Sequence, residues 1–232
     1  MAQVWQIVDR PSEFGAVRSA LTGNECRGVV LVGDAGVGKT TLARAVTESL
    51  RTQVHWVAST ESSRSIPLGV FAHLVGTSSS RDATALLASA RESIVSQGSS
   101  IVGVDDAHLL DELSATLLHQ LAVDQSGRII ATVRAGEPVP DAVTSLWKDG
   151  YLRRIELQPF SKTQSVRLVE SVVGGRLEGL SADLMWESSG GNPLFLRHLV
   201  EGSIDAGTLK KVDDVWQLRG PTAVPTGLAA LL

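Results

Sequence analysis

The stretch Gly33-Asp34-Ala35-Gly36-Val37-Gly38-Lys39-Thr40 constrains this chain more than any other. It matches G-x-x-x-x-G-K-[ST], a loop that cradles phosphate groups. The apolar run Gly28-Val29-Val30-Leu31-Val32 precedes it and reads as a buried parallel strand. Residues 41–50 follow, with Leu42, Ala45, Val46 and Leu50 on one helical face. Glycines let backbone N–H groups approach an anion closely, because no Cβ blocks the way. A helix beginning near Gly38 adds unpaired N–H groups and the positive end of its dipole. The expected cradle is therefore Gly33, Asp34, Ala35, Gly36, Val37, Gly38, Lys39, Thr40 and Thr41. Lys39, expected to be exposed, would reach the β- and γ-phosphates, and the Thr40 hydroxyl would hold Mg²⁺. ATP or ADP with Mg²⁺ is the ligand this chemistry implies.

A second stretch agrees with the first. Ile101-Val102-Gly103-Val104-Asp105-Asp106 is an apolar strand ending in two acids, the Walker B pattern. Asp105 would bind Mg²⁺ through water, and Asp106 stands where a base for the attacking water belongs. Its arm is shorter than a glutamate's, which positions water less well. His108, just past the pair, reads more readily as a loop histidine with a local hydrogen bond than as a catalytic one. Residues 128–133 form another apolar strand. Arg134 at its end is the favoured γ-phosphate sensor, with Thr132 the lesser candidate.

The rest of the chain fills in an α/β order. Residues 53–58 and 152–157 read as further strands, the latter alternating apolar and charged like a sheet edge. Pro11 and Glu13 suit a helix's first turn. A short lead-in spans 4–8, a Ser/Thr-rich loop 59–65, and a short helix 66–74 with Phe71 and Leu74 inward. A polar linker spans 77–80, and helices are predicted over 83–97 and 142–147. After Pro159 the pattern turns helical. Ser161 and Gln164 form a capping box, and further helices are predicted over 181–188 and 193–204. Gly190-Gly191-Asn192-Pro193 makes the turn between those two. Residues 213–218 read as a short strand or wing, and 226–232 as the start of a helix. That run stops at Leu232 without a cap, which reads as a chain that continues.

Composition limits the partners. The chain has 232 residues, a formal charge of −4 and one cysteine, Cys26. No basic stripe marks a nucleic-acid surface, and one cysteine excludes an internal disulfide or a cysteine metal cage. Asp9, Arg10 and Glu13 interrupt any signal-peptide core. No run approaches the ~18 apolar residues of a membrane span, so a cytoplasmic location is expected.

Taken together, these motifs resemble the ATPase domain of STAND proteins, and more closely the ATPase module of large LuxR-type transcriptional regulators. The P-loop, Val104-Asp105-Asp106-Ala107-His108, Ala131-Thr132-Val133-Arg134 and Gly191-Asn192-Pro193-Leu194-Phe195 carry the resemblance. Residues 8–14 are similar to the family's entry box, with Asp9 where glycine is usual. The resemblance implies an AAA+-related P-loop NTPase: a five-stranded parallel sheet between helices, its P-loop strand central and flanked by the Walker B and sensor side. It implies a core over 1–158, a helical lid over 159–207 and an incomplete winged-helix-like piece over 208–232. It places Arg10 at the nucleotide edge and Pro193 over the adenine. It also implies a slow ATPase switch, with ADP holding the closed state and ATP permitting self-association. Effector and DNA-binding domains would lie elsewhere in the full-length chain. Two other readings stay open. One is an oligomeric AAA+-type motor that uses a neighbour's arginine finger, such as Arg64, Arg81 or Arg153. The other is a hydrolysis-deficient scaffold that needs Lys39 and Asp105 but not Asp106.

Overall fold

Six consecutive buried residues, Gly28–Gly33 (β1), lie inside a parallel sheet covered on both faces. The computed structural model describes residues 10–73, 82–96 and 101–220. The lead-in at 4–8, Asp9, Leu74, the linker at 77–80, Gln97 and the helix at 226–232 fall outside them.

The chain divides into two units. One comprises Pro11–Gly33 and Lys39–Glu156; the other holds Arg10, Asp34–Gly38 and residues 157–220. In the first, β1 joins β2 (Val54–Ala58), β3 (Ile101–Asp105), β4 (Arg128–Arg134) and β5 (Arg153–Glu156) in the parallel order β2-β3-β4-β1-β5. This corrects the expected topology. The P-loop strand is not central and does not touch the Walker B strand; β4 occupies the middle and separates them. Both β1 and the interior of β4 are wholly buried, so hydropathy could not rank them. One edge was readable: Arg153, Arg154 and Glu156 are exposed on β5.

Helices α1 (Pro11–Thr22) and α2 (Lys39–Ser49) pack against each other and against β1 and β4. The α2 stripe is Leu42, Ala43, Val46 and Thr47, so Ala43 and Thr47 replace the expected Ala45 and Leu50 as its inward members. Residues 59–65 are not all loop. A four-residue helix, α3 (Glu61–Arg64), starts there, because Thr60 caps it and exchanges hydrogen bonds with Ser63. The helix expected over 66–74 shrinks to one 3₁₀ turn at Gly69–Phe71, with Phe71 fully buried. Helices α4 (Ala83–Ser96), α5 (Glu112–Val123) and α6 (Asp141–Lys148) complete this unit. They bury Ile94, Leu117, Leu121 and Leu146 against Val30, Val32, Val102, Val104, Ile129 and Val133.

The second unit has its own core. Helices α7 (Lys162–Val173), α8 (Gly179–Ser189) and α9 (Pro193–Asp205) enclose Phe160, Leu168, Met185, Leu196 and Val200. The capping box forms as the sequence predicts: Ser161 N–H donates to Gln164 Oε1 at 3.0 Å, and Gln164 N–H to Ser161 Oγ at 3.3 Å. A small sheet joins β6 (Arg176–Leu177) to β8 (Val215–Leu218) and β8 to β7 (Leu209–Val212); β8 takes up the strand expected over 213–218, while β6 and β7 were not expected. A two-residue strand carries no hydrophobic period, so β6 had no signal to read.

The turn from α8 to α9 needs both its glycines. Gly190 and Gly191 have φ of +57° and +73°, a region that L side chains disfavour. Phe160 N–H donates to Gly191 O at 2.7 Å, and a Cβ on Gly191 would stand 2.2 Å from Phe160 O. Gly191→Ala is expected to destabilise the protein by at least about 2 kcal/mol. A thermal melt would read this as a drop of several degrees, and an unchanged midpoint would contradict the packing.

Candidate functional site

Strand alternation decides which side chains meet. Val104, Ala131 and Val133 point into the cluster with α4–α6, so Asp105, Thr132 and Arg134 turn to the opposite face. There Thr132 Oγ1 donates to Asp105 Oδ1 at 2.6 Å, and Thr40 Oγ1 donates to the same oxygen at 2.7 Å. Thr132 Oγ1 also accepts the Asp106 N–H at 2.9 Å. Thr132 is fully buried. The fold thus brings Thr132, the lesser sequence candidate, directly onto the first acid.

Lys39 opens α2, and Nζ donates to Gly33 O at 2.8 Å. The residue is only 7% exposed, which corrects the expectation of an exposed lysine. An ammonium can be buried there because the loop's own carbonyl satisfies it. Thr41, by contrast, is exposed on the first turn of α2, and Asp34 is exposed in the loop.

Asp106 leaves β3 with φ 54° and ψ 50°, left-handed values that are costly for a residue with a side chain. Its side chain is about half exposed. Beyond it, His108 lies on a 3₁₀ turn, Ala107–Leu109, and is 5% exposed. Its Nδ1 accepts the Arg134 N–H at 3.4 Å and lies 3.9 Å from Asp106 Oδ1. Burial holds the His108 pKa below the usual histidine range, against the opposing pull of Asp106 and Glu137. The Arg134 guanidinium is half-exposed, its Nε 4.0 Å from Glu137 Oε1.

In the second unit, loop residues 34–38 meet α9. Gly36 and Gly38 have φ of +76° and +98°. Asn192 caps α9 and Nδ2 donates to Ala35 O at 2.8 Å, while Leu194 N–H donates to Gly36 O at 3.3 Å. A Cβ on Gly36 would meet Leu194 Cβ at 2.7 Å and Asn192 Oδ1 at 2.8 Å. Pro193 occupies the first turn of α9. Arg10 is 6% exposed, and Nη2 donates to Gln158 O at 2.7 Å and Val37 O at 3.3 Å, with the guanidinium 4.6 Å from the Phe160 ring centre. Arg10, read in the sequence as a nucleotide contact, here ties down the backbone at Val37.

Two positions escaped the sequence reading. Asn192 was read as a turn residue and as a member of the 191–195 box, with no contact of its own, although Asn before Pro is a helix-start signal. Ser59 had no signal at all. It is 5% exposed, its N–H donates to Asp105 O at 3.0 Å, and its Oγ finds no hydrogen-bond partner among the described residues. Its place beside Asp105 follows from the pairing of β2 with β3, Ala58 opposite Asp105.

Residues 6–100 match the family model described as "AAA ATPase domain". The fold is that of the AAA+ P-loop ATPases. A mutant of Thermotoga maritima RuvB superposes at TM-score 0.62 and 18% identity, over 97% of this chain and 70% of that one. Another RuvB mutant gives 0.58 and 16%, over 85% and 62%. Aeropyrum pernix ORC1, solved in complex with DNA, gives 0.60 and 17%, over 92% and 64%. The chain spans 62% of the length of one RuvB structure and 64% of the ORC1 structure. No curated protein sequence matches it. The AAA+ fold puts Lys39, Thr40, Asp105 and Thr132 at one end of its sheet. Among the described residues no helix is long and apolar enough to cross a membrane.

Proposed function

We propose that this chain is an ATP/ADP-binding regulatory switch domain of a STAND-class, LuxR-type transcriptional regulator, working in the cytoplasm with slow Mg²⁺-dependent hydrolysis. The observation that carries the reading is the grip of α9 on the phosphate loop. Asn192 and the Leu194 N–H hold Ala35 O and Gly36 O, so a change in the loop's peptide groups is felt at α9 directly. A switch needs such a coupling between ligand and a movable element.

The residues fit the nucleotide. Gly36 and Gly38 adopt the positive φ that a phosphate cradle requires, and Lys39 supplies a cation to the β- and γ-phosphates. Thr40 and Asp105 would hold Mg²⁺, which supplies Lewis-acid neutralisation of phosphate charge when bound. Asp106 is the proposed base for water, its short and half-exposed arm consistent with slow turnover. Arg134 is the proposed γ-phosphate sensor, with Thr132 orienting Asp105. Pro193 is proposed to contact the adenine. Other domains of the full-length chain would read the state, with self-association when ATP is bound and no direct nucleic-acid contact by this segment.

Pro193→Ala is expected to speed ADP dissociation by about tenfold, measured by stopped-flow with a fluorescent ADP. An unchanged off-rate would remove Pro193 from the site. The second reading is an oligomeric DNA-handling motor, and the likeness in fold to RuvB and to DNA-bound ORC1 favours it. A gel shift showing specific DNA binding at moderate salt would support that reading over the switch.

A further inference from the structure

The β3–β4 ladder ends at Val104 opposite Ala131. Beyond it the two strand tips still lie side by side, and two backbone N–H groups take side-chain acceptors. Asp106 N–H finds Thr132 Oγ1, and Arg134 N–H finds His108 Nδ1. The two bonds cross in opposite senses, one from β3's exit to a β4 side chain, the other from β4's exit to a side chain following β3. Between them sits Asp106, in a left-handed conformation that persists only where its surroundings over-determine it.

We propose that His108 is a positioning residue of the candidate hydrolytic site: its Nδ1 fastens the end of β4 to the turn that carries Asp106. The proposal rests on the ATPase reading above and assigns His108 no proton transfer. It requires a neutral ring protonated on Nε2, because an Nδ1–H could not accept the Arg134 N–H. Burial favours the neutral form. The charged groups around the ring are Asp106 and Glu137, which pull towards protonation, and Lys39 and Arg134, which oppose it. Loss of the bond would free the Arg134 backbone from the turn that follows Asp106. The step most affected would be chemistry, since the Lys39 Nζ bond to Gly33 O is not made by the ring.

Three variants separate this role from simple packing. Asparagine places an oxygen near the position of Nδ1; glutamine places its polar end near Nε2; leucine has no acceptor. His108→Leu and His108→Gln are expected to lower kcat by about tenfold or more with KM and ATP affinity unchanged, and His108→Asn to recover most of the loss. Wild-type kcat should fall as pH drops through the depressed His108 pKa, and His108→Asn should lose that acid limb. Equal kcat in the leucine variant and wild type would overturn the proposal, as would equal loss in all three variants. Nitrogen-15 NMR of the imidazole in the wild-type chain gives a readout independent of turnover. An Nε2–H tautomer is expected, and an Nδ1–H tautomer would overturn the assignment even in a protein that hydrolyses nothing. Absence of turnover in wild type with an Nε2–H ring would instead remove the ATPase reading and leave the bridge standing.

Discussion

Lys39→Ala is expected to weaken ATP and ADP binding by at least about 100-fold, while the folded protein survives. The ammonium sits at the first turn of α2 and donates to Gly33 O at 2.8 Å. It is held inside the loop that would receive the phosphates. A charge-assisted hydrogen bond is worth roughly 1.5–3 kcal/mol, and each 1.4 kcal/mol is about tenfold in affinity. Two phosphate contacts therefore account for two or more powers of ten. The structural cost is smaller, because Gly33 O also accepts the Ala135 N–H at 3.0 Å. Loss of one of its two donors should lower stability by about 1 kcal/mol. Calorimetric titration beside a thermal melt checks both halves. Retained nucleotide affinity would remove the phosphate-cradle assignment.

Asp105→Asn should leave nucleotide binding in the absence of Mg²⁺ unchanged and lower Mg²⁺-dependent turnover by about 10²–10³-fold. Asparagine keeps the size of the side chain and an oxygen to accept from Thr40 and Thr132, which now share Asp105 Oδ1 at 2.7 and 2.6 Å. The charge is what disappears. Titrating Mg²⁺ into single-turnover assays isolates that loss. A variant with wild-type turnover and wild-type Mg²⁺ dependence would show that Asp105 does not serve the metal.

How much of this was legible depended on whether the signal was local. The P-loop, the strand ending at Asp105, the Ser161–Gln164 capping box and Pro193 at a helix start are all written within a few neighbouring residues, and each takes the form its spacing predicts. Strand order is not local. Nothing in Arg128–Arg134 says that it lies between β1 and β3, because a buried strand reads alike at any interior position. The same limit governed the site. Arg134 stood out as a charge at a strand end, yet Thr132, an uncharged residue two positions earlier, is the one that reaches Asp105. Its importance follows from register and alternation, which exist only once β4 is placed. Lys39 was misjudged for exposure because its partner, a backbone carbonyl at Gly33, has no sequence signature. Arg10 was placed only through the family resemblance, and its bonds to Gln158 O and Val37 O, again to backbone carbonyls, carry no sequence signature.

The central claim is that nucleotide sets a state which this domain holds instead of cycling through. The most direct measurement is ATP turnover under single- and multiple-turnover conditions, with the nucleotide carried through purification identified in the same sample. The account predicts co-purified ADP, one slow round of hydrolysis and tight retention of the product. Rapid multiple turnover that rises with protein concentration would contradict it, and would point to an assembly completed by a neighbour's arginine.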